Sequence, residues 1–180
     1  MVVLDSTILL LLLDEKVPVP KDPATNKPYA NGRERVEYLI DQLSESKTPI
    51  LVPTPVLAEV LVRAGPATGE YLTKVRSVPG FRVGNFDQKA AVELALMTGA
   101  ALKAGKKRGA GAASAPWQKV KFDRQIVAIA KSEQVTGIYS TDDDLRKLAA
   151  AEGMKAFDLS DLSMPPEKLQ QDLPLEPRKP

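Results

Sequence analysis

Five apolar runs of about three residues punctuate this chain, at Val2 to Leu4, Ile50 to Val52, Phe81 to Val83, Gly137 to Tyr139 and Lys155 to Phe157, with longer segments of helical periodicity between them. Runs that short suit strands, and their alternation with helices is the pattern of a parallel sheet covered by helices. The helical segments read as Ser6 to Leu13, Gly32 or Arg33 through Leu43, Thr54 to about Ala64, Tyr71 to Ser77, Gln88 to Lys103, Asp123 to Glu133 and Asp143 to Glu152. Thr54 is expected to cap the third of these, with Pro55 at its first position and Gly65-Pro66 as its stop. Asp14 to Asn31 is polar and Pro-rich and predicts an irregular connection.

At 180 residues and 43% hydrophobic content the chain suits one domain, expected over 1–160, with a Pro-rich mobile tail over 161–180. The apolar run Ile8 to Leu13 follows an acid, lacks a basic leader and is too short to span a bilayer, so a cytoplasmic protein without a membrane partner is expected. The chain has no His and no Cys. Imidazole bases, thiolate nucleophiles, Ser-His triads and nearly every zinc site are thereby excluded. What composition leaves open is hard-cation chemistry on oxygen ligands, with Mg2+ or Mn2+ as the cofactor.

Four acids stand among apolar neighbours: Asp5 after Met-Val-Val-Leu, Glu59 inside Val-Leu-Ala-Glu-Val-Leu-Val, Asp123 before Arg-Gln-Ile-Val-Ala-Ile-Ala, and Asp142 after Ile-Tyr-Ser-Thr. Buried carboxylates are costly unless paired, hydrogen-bonded or bound to metal. Asp5 and Asp142 follow the carboxyl ends of predicted strands, while Asp123 and Glu59 fall near helix beginnings. In an open α/β sheet those strand ends line the crevice where ligands bind. Each acid also has a purely structural role open to it. Asp123 and Asp142 can cap helices, Asp144 can complement a helix dipole, and Glu59 can lie on a solvated stripe. Asp5 is harder to explain so, because Ser6 and Thr7 beside it can already supply a cap.

The ordered motifs Val3-Leu4-Asp5-Ser6-Thr7, Pro55-Val56-Leu57-Ala58-Glu59, Asp123-Arg124-Gln125-Ile126-Val127-Ala128-Ile129-Ala130 and Ser140-Thr141-Asp142-Asp143-Asp144-Leu145 resemble PIN-domain nucleases, including VapC-type toxin ribonucleases, over most of residues 1–160. The resemblance implies a three-layer α/β/α fold with a five-stranded parallel sheet. It also implies a metal-dependent endoribonuclease that hydrolyses RNA phosphodiester bonds through a metal-activated water, as in the toxin of a type II toxin–antitoxin pair. By motif, Asp5, Glu59, Asp123 and Asp142 correspond to the catalytic and metal-binding acids, with Glu59 acting directly or through water. Ser6, Thr7, Ser140, Thr141 and Asp144 correspond to auxiliary positions. An RNA substrate, a cognate antitoxin protein and a homodimer are the partners implied. The chain departs from the family pattern in two ways: Leu145 replaces a common aromatic, a conservative change, and both the 14–31 connection and the basic segment before Asp123 are long, insertions that bear on substrate choice and partner binding.

That basic insertion, about 103–121, carries Lys103, Lys106, Lys107, Arg108, Lys119 and Lys121 without one acid, and includes Trp117. Lys106, Lys107, Arg108, Lys119 and Lys121 can track a phosphate backbone while Trp117 stacks a base. The competing reading is a solvated loop with Trp117 covering the core. Gly105-Lys106-Lys107 lacks the hydroxyl and glycine spacing of a phosphate-binding P-loop. Asp5-Ser6-Thr7 lacks the second Asp of a haloacid-dehalogenase nucleophile motif. The alternative to the nuclease is a non-cleaving nucleic-acid-binding or assembly module on the same fold.

Overall fold

The computed structural model describes residues 1–105 and 116–166. Lys106, Lys107 and Arg108 of the expected RNA-contact set lie outside the described residues, as does most of the expected tail. Five strands, β1 (Val2–Leu4), β2 (Ile50–Pro53), β3 (Phe81–Gly84), β4 (Gly137–Tyr139) and β5 (Lys155–Phe157), form one parallel sheet in the order β3-β2-β1-β4-β5. Side chains alternate across it: Val2 and Leu4 enter one apolar cluster and Val3 the other.

Seven α-helices connect the strands among the described residues: α1 (Ser6–Leu13), α2 (Gly32–Glu45), α3 (Thr54–Ala64), α4 (Thr68–Ser77), α5 (Gln88–Lys103), α6 (Trp117–Ser132) and α7 (Asp143–Ala151). Helix α1 is apolar nearly all round, with Ile8, Leu9, Leu10, Leu11 and Leu13 buried. Each such side chain contributes about 2 kcal/mol of burial, which fixes the residue immediately before the helix. Its outer end is tied to the long connection by Arg33, whose guanidinium donates to the carbonyls of Leu11, of Glu15 at 3.1 Å and of Val17 at 2.8 Å. The 14–31 segment is irregular as expected, apart from one antiparallel bridge between Lys21 and Pro28. No helix among the described residues is long and apolar enough to cross a membrane.

Three expectations are corrected. Thr54 does not cap α3: it is the first helical residue, Pro53 precedes the helix, and no side chain caps that end. Helix α6 begins at Trp117, so Asp123 lies well inside it and cannot be its cap. The basic residues obscured a helical repeat in which Val120, Arg124 and Val127 are buried on one face. Leu162, which composition placed in the tail, is only 6% exposed within the core packed under α2, and its carbonyl accepts from Arg35.

Candidate active site

The chain reverses its direction of travel across the sheet at β1 and β4, and the crevice at their carboxyl ends is where such a sheet opens to ligands. The ladder runs one residue past β1, with the Asp5 N–H donating to the Tyr139 carbonyl at 3.0 Å and the Ser140 N–H to Phe157 at 3.0 Å. Asp5 and Ser140 are thereby neighbours on adjacent strands. Asp5 caps α1, accepting from the Ile8 N–H at 2.9 Å on Oδ1, while the Ser140 hydroxyl donates to Oδ2. Asp5 thus takes the capping role itself, although Ser6 and Thr7 beside it could have supplied it. It is 5% exposed. Burial pushes its carboxyl up to about 6; the hydrogen bonds from Ile8 and Ser140 oppose that shift and the charge of Asp142 adds to it.

The other acids arrive from separate helices. Asp142 caps α7 as expected, accepting from the N–H groups of Asp144 at 2.9 Å and Leu145 at 3.3 Å. Arg146 braces this turn, donating to the Ser140 carbonyl at 2.7 Å and to Asp158 Oδ1 at 2.9 Å. Glu59 on α3 is half-exposed; it accepts from the Ser6 hydroxyl at 2.8 Å and lies 3.9 Å from Arg63 Nε. Asp123 on α6 keeps only 13% of its side chain exposed. Burial first, then the charge of Asp142, pushes its carboxyl up to about 7; Lys119 opposes this, and Asp144 and Glu59 add to it.

Asp5, Glu59, Asp123 and Asp142 line one cleft of about 670 Å³ together with Ser6, Thr7 and Lys119. Asp144 joins them through Lys119, whose ammonium lies 2.9 Å from its Oδ2. Thr141 reaches Asp5 through its backbone. The expected acids and auxiliary residues are therefore brought together. The expected RNA contacts divide. Lys119 points into the acids, whereas Trp117 packs on Val120 with Lys121 and Arg124 each 5.6 Å from its ring. Trp117 is thus engaged by its own helix. Sequence reasoning missed Phe122 and Val62, which line the cleft and are 53% and 80% exposed. Phe122 immediately precedes Asp123, and that adjacency was the available signal.

The acids and hydroxyls that line the cleft offer oxygen donors, which suit a hard divalent cation. Burial is the first cause of the upward shifts of Asp5 and Asp123, and the charge of Asp142 adds to both. These residues fit such an ion in chemistry and in charge. Among the described residues, however, no three acidic side chains already stand as a ready metal-binding cluster.

A parallel β3-β2-β1-β4-β5 sheet with helices on both faces and acids at the β1–β4 crevice is a PIN-like α/β/α architecture. No family model matches the chain, and no curated protein matches it in sequence. Solved structures match in fold. VapBC2 of Rickettsia felis, bound to a DNA fragment from its promoter, superposes with a TM-score of 0.56 at 12% identity, over 88% of this chain and 98% of the matched one. DNA-bound VapBC of Salmonella typhimurium gives 0.51 at 15% identity, over 88% and 97%. VapC20 of Mycobacterium tuberculosis, a sarcin-ricin loop cleaving toxin, gives 0.50 at 14% identity, over 86% and 96%. At these identities the likeness is one of fold.

Proposed function

We propose that this chain is a metal-dependent endoribonuclease, the toxin of a type II toxin–antitoxin pair, acting in the cytoplasm on RNA. One observation carries the reading: Asp5, Glu59, Asp123 and Asp142, far apart in sequence, line a single cleft at the strand ends where the sheet opens. The fold shared with VapC structures supports it.

Asp5, Asp123 and Asp142, with Glu59 directly or through water, would hold Mg2+ or Mn2+, which when bound lowers the pKa of a coordinated water and offsets charge gathering on phosphoryl oxygens. The chain's own residues prepare that position. Ser140 and the Ile8 N–H fix both Asp5 oxygens, so the carboxylate is oriented before any ligand arrives. Ser6 holds Glu59 toward the cleft. Asp142 is aimed by the α7 N-terminus and by the brace from Arg146. Phe122 and Val62 give the cleft an apolar wall suited to the faces of unpaired bases. A cognate antitoxin and a second copy of the chain are the protein partners that go with this reading.

The non-cleaving module draws on the lack of a ready three-acid cluster among the described residues. Incubating pure protein with structured and single-stranded RNAs in Mg2+, Mn2+ or chelator separates the two. Cutting that the chelator abolishes supports the nuclease; RNA binding without cutting in either metal supports the module.

A further inference from the structure

The Lys119 ammonium sits among the acids of the cleft. It lies 3.0 Å from Oδ1 and 2.9 Å from Oδ2 of Asp142, 2.9 Å from Asp144 Oδ2 and 3.9 Å from Asp123 Oδ2. Carboxylates from two helices therefore share one tethered cation. Its position is dictated by the fold, because Lys119 is one helical turn before Asp123 on α6 and reaches the same cleft. An isolated surface ion pair contributes little and leaves its partners free to turn. Here three acids converge on one ammonium, which screens their mutual repulsion and spans the gap between α6 and α7.

A divalent ion held by the same oxygens would stand within a few ångström of that ammonium. At such a separation two positive charges weaken each other's binding by roughly an order of magnitude or more, even at a solvated site. Resting on the metal-site reading above, we propose that Lys119 is a built-in counter-cation that competes with the divalent ion for Asp123 and Asp142, so that the ion binds only as the ammonium swings out. Lys119 thereby sets the concentration of metal at which the site fills.

Calorimetric titration of the full chain with Mn2+ tests this, using wild type, Lys119→Met and Lys119→Arg. The Met variant should bind Mn2+ at least about tenfold more tightly, and the Arg variant should stay close to wild type. In wild type labelled with 13C-lysine, the Lys119 ε-methylene resonance should shift saturably with Mg2+, a readout that needs no variant to fold. Equal or weaker affinity in Lys119→Met, or a Lys119 resonance unmoved at saturating Mg2+, overturns the competition while leaving the metal site standing. Absence of Mn2+ binding in both wild type and Lys119→Met overturns the competition and the metal-site reading together.

Discussion

The Ser140 hydroxyl couples two acids of the cleft, donating to Asp5 Oδ2 while accepting from the Asp142 N–H at 2.9 Å. Ser140 is fully buried, so neither bond has water as a substitute. Replacing Ser140 with Ala leaves a buried Asp5 oxygen and the Asp142 N–H without this partner. The expected loss is about 1–3 kcal/mol of stability, read by urea denaturation in chelator. Thr at this position keeps the hydroxyl and should recover part of that loss.

Asp123 gives a pH dependence of definite sign. Its carboxyl titrates near 7 in the folded chain against 3.8 ordinarily, so between those values the folded state holds a proton that the unfolded state has released. Stability of the metal-free protein should therefore fall as pH rises from about 4 to 7 and level off above, with Asp5, raised to about 6, acting in the same direction. The Asp123→Asn variant should show a shallower fall and be more stable than wild type by roughly 1–3 kcal/mol at pH 7.5. Denaturant melts in chelator across this range check it, and a wild-type profile that rises with pH would refute the shift.

Gly84 closes β3 where a Cβ would stand 2.8 Å from Ile129 Cγ2 and 3.1 Å from the Leu51 side chain. Ile129 belongs to the buried face of α6, the helix that carries both Lys119 and Asp123. Gly84→Ala should cost about 1–3 kcal/mol by overpacking and move α6 against the sheet. Its melting temperature should fall accordingly; a neutral result would mean that α6 shifts freely, contrary to a rigidly held Asp123.

The strands were legible because a three-residue apolar run between helical segments admits few other readings, and β1, β4 and β5 have the expected bounds. Asp5, Glu59 and Asp142 were legible from their places beside those strands or within an apolar helix. Asp123 was found as a residue but misplaced in its helix, because the exposed Gln118, Lys121 and Phe122 break the apolar pattern at Trp117 to Phe122. Whether Lys119 turns toward RNA or toward Asp142 is a contact between α6 and α7, elements that meet only in the folded chain. The apolar cleft wall of Val62 and Phe122 was hidden for the same reason: one comes from α3 and the other from α6.

The most direct measurement is RNA cleavage by the Asp5→Asn variant beside wild type in saturating Mn2+, with melting curves of both. Asn caps helices about as well as Asp and keeps an oxygen for the Ile8 N–H, so the fold should survive. The expected result is near-wild-type melting with cleavage reduced by at least about 100-fold. A folded Asp5→Asn protein that cuts RNA at the wild-type rate would contradict a nuclease centred on this cleft.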